Sequence, residues 1–72
     1  MKRKWFIYDV EPKKNTVVWL LYGSLRNKDE RYVCEAWFDG DEYTFVDNST
    51  INNPIAWSRH SKIKPDVPKD VK

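Results

Sequence analysis

The chain has 72 residues and a formal net charge of +2, so it makes one domain, near the lower limit for folding alone. Its single cysteine, Cys34, excludes an internal disulfide and a cysteine-based zinc site, and two glycines are too few for a glycine-rich phosphate loop. With four Trp, four Tyr and three Phe, the fold needs most of its aromatics inside, or covered by another chain.

In chain order, residues 2–4 are basic and lead into a first strand expected at residues 5–9. "EPKKN" then turns the chain, with Pro12 and Asn15 supplying the turn chemistry. The run "TVVWLLYGS", residues 16–24, is apolar on both faces and reads as the central strand. A polar connection, "LRNKDE", follows. The third strand is expected at residues 31–38 and alternates. Tyr32, Cys34, Ala36 and Phe38 share one face, with Arg31 and Glu35 on the other. Asp39-Gly40-Asp41 marks a tight hairpin, because Gly40 can take the positive φ such loops demand.

A fourth strand is expected at residues 42–46, with Tyr43 and Phe45 on a common face. The loop at residues 47–53 has room for a helical turn but not for a long helix. The fifth strand runs from residue 55 to about 60. Alternation puts Ile55, Trp57 and Arg59 on one face and Ala56, Ser58 and His60 on the other, with Trp57 turned inward beside Ile55. Residues 62–72 contain Pro65 and Pro68 among alternating charges and read as an extended or disordered tail. The expected fold is mainly β: a small antiparallel sheet or barrel of about five strands at residues 1–61, strongly bent, followed by that tail.

Chemistry-bearing groups are sparse. His60 is the one histidine, and neither Ser58 nor Ser61 stands in a nucleophile-elbow context. Asp39, Asp41 and Glu42 lack the spacing of a calcium loop and read as a polar turn. Cys34 reads as a small buried hydrophobe. The expectation is a protein that is not an enzyme and takes no metal and no cofactor.

Charge distribution says more than net charge. Between residues 5 and 58, five basic residues face nine acidic ones, while both chain ends are basic. The candidate contact surface is therefore Lys2, Arg3, Lys4, Arg59, His60, Lys62 and Lys64, and chain ends lying together would merge these into one patch. Trp5, Trp37 and Trp57 are candidate aromatic contacts if exposed. Interleaved tryptophan and basic residues suit single-stranded nucleic acid, which stacks on aromatics in a basic groove. The acidic body and the demand for aromatic burial favour contact with a protein instead. "MKRKWFIYDVEP" has no apolar run long enough for a secretory leader, and no stretch would span a membrane, so the expected location is the cytoplasm.

The order of landmarks is an early Trp5, then Pro12 ahead of the apolar residues 16–21, then "AWFDGDEYTF", then "IAWSRHSKIKPDVP". In this order the chain resembles short phage and prophage proteins of unknown function. Those open with a Trp, carry a central aromatic-glycine hairpin and close with a Trp and a proline-containing tail. The resemblance implies a small β-rich fold, an origin in a mobile element, and no catalytic residues to carry over. Taken with that resemblance, the expected function is that of a non-enzymatic protein that modulates or inhibits a host protein, a defence component among the candidates. It would act through protein contacts or by sequestering a ligand, and self-association is admissible. A single-stranded nucleic-acid binder using Trp5, Trp57, Arg59 and the terminal lysines is the second expectation.

Overall fold

β-Branched and aromatic residues pair as antiparallel strands wherever they run in short stretches bounded by turns. In the computed structural model, which describes residues 4–7, 10–51 and 53–68, five such strands form one sheet in the order β1-β5-β2-β3-β4. They are β1 (Phe6–Ile7), β2 (Thr16–Gly23), β3 (Arg31–Phe38), β4 (Tyr43–Thr44) and β5 (Pro54–Arg59), and every neighbouring pair is antiparallel. The doubly apolar β2 is central, as its pattern predicts. β1 and β4 lie at opposite edges, so the sheet is open and not a closed barrel. The end of the expected first strand, Tyr8 and Asp9, lies outside the described residues.

Register places residues on faces. Phe6, Trp57, Leu20 and Cys34 stand directly across from one another on one face, and Ile7, Ala56, Leu21 and Val33 on the other. The first face carries a cluster of Val18, Leu20, Ala36, Phe38, Tyr43, Ile51 and Trp57. The second carries Trp19, Leu21, Val33, Ile55 and Ala56. A single sheet this small would leave one of these faces wet, but here the segments flanking the strands cover the second. Trp5 packs against it, and the Ser58 hydroxyl donates to the Lys4 carbonyl at 2.8 Å. Beyond β5, the Trp19 indole N–H donates to the Ser61 carbonyl at 3.1 Å. Residues 64–67 then line a groove with Arg31, Tyr32 and Val33. The segment after β5 thus crosses the second face from β5 toward β3, without strand or helix.

Three local expectations are corrected. Leu21 pairs with Ala56 and Tyr22 with Pro54, so Ile55 is an extra residue, a β-bulge. The bulge turns Ile55 into the second cluster beside Ala56, away from Trp57. β4 stops at Thr44 because the chain reverses immediately. The Asn48 N–H donates to the Phe45 carbonyl at 2.9 Å with Asn48 at φ 72°, and the Ile51 N–H returns to the Tyr43 carbonyl at 3.0 Å. A reverse turn therefore stands where a helical turn had room. The one short helical element among the described residues is a 3-10 turn, Lys28–Glu30, inside "LRNKDE". It is capped by the Asn27 side chain, which accepts from the Asp29 N–H at 3.0 Å.

Candidate functional site

Trp57, a candidate contact, belongs to the core. It is 8% exposed, stacks on Phe6 with ring centroids 4.6 Å apart, and donates its indole N–H to the Val10 carbonyl. That corrects the nucleic-acid reading at this residue, since a ring held between Phe6 and Leu20 cannot take a base. Trp5 is half-buried against the second cluster. Trp37 is different, at 41% exposed.

The reason is register. Trp37 stands across from Val17 in β2 and from Thr44 in β4, at the end of the second face that the segment after β5 leaves behind. Val17 is exposed beside it, and Val46, at the tip of the turn after β4, is 82% exposed. These side chains, with Ala36 and Phe45, line an open groove of about 570 Å³ whose rim carries Glu35 and His60. A second groove of about 490 Å³, lined in part by Pro12, Lys13 and Arg59, shares Val17 and His60 with the first. The two grooves meet at the end of the sheet but open on opposite faces: the depression at Trp37 and Val17 lies on the second face and is largely apolar, and the groove with Lys13 and Arg59 lies on the first, where Arg59 stands across from Val18.

His60 is held at the junction. Its ring stacks on Trp19 at 5.2 Å, and its Nε2 meets Glu35 Oε2. Both side chains are well exposed, so the pair orients the imidazole and adds little stability.

The other candidates are dispersed. Lys2 and Arg3 lie outside the described residues. Lys4 sets its ammonium over the Phe6 ring at 5.0 Å, at the β1 edge. Arg59 lies in the second groove, on the face opposite Trp37. Lys62 is exposed past β5, and Lys64 sits by β3, in the groove with Val33. Lys4 and Lys64 are separated by the width of β5 and β2, so the described cations do not make one patch.

Arg31 was placed only by its face. It is 4% exposed, and its guanidinium donates to the Ser24 carbonyl at 2.8 Å and the Leu25 carbonyl at 3.1 Å. It ties the connection after β2 to the start of β3. Burial pushes the Cys34 thiol up to about 11, with Lys64 opposing the shift, so the thiolate is scarce near neutrality. Asp39 accepts from the Asp41 and Glu42 N–H groups at 2.8 and 2.9 Å, which holds its carboxyl below the usual range. That is the chemistry of a turn. Among the described residues, no three His, Cys, Asp or Glu side chains gather as metal ligands would.

Val17, Val46 and Glu35 complete the depression and were not singled out by sequence. Val17 and Trp37 become neighbours only once the β2–β3 register is known. Compared with protein families, characterised proteins and solved structures, the chain matches none.

Proposed function

We propose that the protein is a non-enzymatic binding module, of phage or prophage derivation, that acts in a host cytoplasm. It modulates a host protein through the depression at Trp37, by direct contact or by sequestering a ligand. One observation carries this reading. Val17, Trp37 and Val46 stay exposed together in a chain that needs its apolar surface inside. A rigid aromatic ring flanked by aliphatic side chains and rimmed by polar groups is the composition of an interface core. The half-buried, poorly ionised Cys34 and the surface pairing of His60 with Glu35 favour binding over catalysis. The link to a host target rests on the resemblance to short phage proteins.

A photo-crosslinking side chain at position 46 tests this in bacterial lysate, with position 25 as the control. Leu25 is exposed in the connection after β2, away from the depression. Position 46 yields a discrete, nuclease-resistant protein adduct and position 25 does not; equal labelling from both would refute the reading. A second reading, binding of single-stranded nucleic acid, draws on Lys13 and Arg59 in the second groove. Its test is a salt titration against a labelled oligonucleotide. Tight binding that weakens steeply with salt would replace protein contact as the function.

A further inference from the structure

Charge is divided along the chain in a way that bears on the depression at Trp37. No lysine or arginine occurs between Arg31 and Arg59, whereas five carboxylates do: Glu35, Asp39, Asp41, Glu42 and Asp47. Within that stretch, β3 and the turn after β4 carry most of the depression's lining. Glu35 and Trp37 alternate on the second face of β3, and Asp39 follows just past the strand's end. Asp47 lies in sequence between two lining residues, Val46 and Asn48. Trp37 is therefore flanked by carboxylates along its own strand and faces another across the depression. Hydrogen bonds from the Glu42 and Asp41 N–H groups hold Asp39 below the usual carboxylate range, and those from the Ser49 hydroxyl and N–H do the same for Asp47. Both are charged at neutrality. The neighbouring cations are placed elsewhere. Lys14 runs over Gly40 in the hairpin, Lys13 and Arg59 belong to the groove on the first face, and neither lysine nor arginine lines the depression among the described residues.

Resting on the reading of this depression as a protein-binding site, we propose that it takes a basic, amphipathic segment of the partner. One large apolar side chain sets against Trp37 and Val17, with lysine or arginine on both sides of it. The volume of about 570 Å³ lies within the roughly 300–1,000 Å³ of ordinary ligand sites. The depression is open, however, and Val46 stands 82% exposed at its rim. One side chain in the depression covers Trp37 and Val17, and a chain that continues past it covers Val46 as well. That geometry fits a peptide segment better than a small molecule.

The positions of the carboxylates say where the cations go. Glu35 meets His60 through Oε2, which leaves Oε1 for an incoming ammonium or guanidinium. Thr44 stands across from Trp37, and Glu42 precedes Thr44 by two residues, at most about 7 Å along the chain. That is inside the screening length of about 8 Å at physiological salt, so the hairpin's charge reaches a cation seated beside Trp37. An acidic segment would meet like charge on both sides, and the same carboxylates repel nucleic acid from this face. Rim charges of this kind select the partner and speed its encounter, while the apolar anchor at Trp37 supplies most of the affinity.

Panning a library of random peptides on the immobilised full chain tests the proposal, with fluorescence anisotropy then measuring each enriched peptide. Enriched peptides carry a large apolar residue flanked by lysine or arginine, and Trp37→Ala weakens their binding by about tenfold or more. Combining Glu35→Gln, Asp41→Asn and Glu42→Gln weakens it several-fold and flattens the salt dependence that wild type shows. Circular dichroism establishes that each variant is folded. Peptides that need Trp37 but carry no net positive charge would overturn the basic partner and leave the depression a binding site. Peptides indifferent to Trp37→Ala, or no enrichment at all, would overturn the proposal together with docking at Trp37. A mass that doubles in sedimentation equilibrium and returns to the monomer on Trp37→Ala would overturn it by putting a second copy there.

Discussion

Tyr43 and Trp57 share one cluster but differ in how their polar tips are treated. The Trp57 N–H is given to the Val10 carbonyl, whereas the Tyr43 hydroxyl is buried with no hydrogen-bond partner among the described residues. Trp57→Ala removes a stacked core ring and should cost about 3–5 kcal/mol in urea denaturation. Tyr43→Phe removes an unsatisfied group and should be neutral or stabilising by about 1 kcal/mol in the same assay. Tyr43 and Cys34, both in or against this cluster, respond to alkali. Burial pushes Tyr43 up to about 12 from an ordinary 10.0, and Cys34 up to about 11 from 9.0. The folded state then holds protons that the unfolded state has released, so stability falls as pH rises from about 9 through about 12. Cys34→Ala flattens the lower part of that decline and Tyr43→Phe the upper part, as stability measured against pH will reveal. Trp57's inward direction was legible from strand alternation and the need for buried area. Arg31's role was not, because its partners are carbonyls of a connection whose path no pattern encodes.

Between strands, the glycines separate a structural necessity from a convenience. Gly23 ends β2 at φ +126°, and a Cβ there would sit 2.3 Å from the Glu30 carbonyl oxygen, a backbone atom. Gly40, at φ +105° in the hairpin, would meet only the flexible Lys14 side chain, at 3.0 Å. Gly40→Ala should cost about 1–2 kcal/mol of backbone strain. Gly23→Ala should cost at least twice the drop in thermal midpoint, since Glu30 cannot move without shifting β3. The bounds of β3 could be read directly, because a half-polar strand alternates and a hairpin turn closes it. β4 was overextended because Asp47 accepts from Ser49 at 3.0 Å in a turn that competes with strand. The bulge at Ile55 was invisible, since the apolar run "PIAW" has no alternation for an extra residue to interrupt.

At the scale of the whole molecule, one sheet buries apolar side chains on both faces because its flanking segments fold across the second. That crossing decides the site. It stops short of Val17 and Trp37, and what it leaves exposed is the depression assigned to partner binding. A run of mixed polarity such as "IKPDVP" carries no periodic signal of where it will pack, so the exposure of Trp37 could be named only as a condition. Since Trp37 is outside both buried clusters, Trp37→Ala should change stability by less than about 1 kcal/mol. The most direct measurement is therefore quantitative capture from nuclease-treated bacterial lysate on immobilised wild type, Trp37→Ala and Tyr32→Ala. Tyr32 is a still more exposed aromatic on the opposite face, at 55%. The account predicts a protein retained by wild type and Tyr32→Ala and lost on Trp37→Ala. Retention on all three, or a loss confined to Tyr32→Ala, would contradict it.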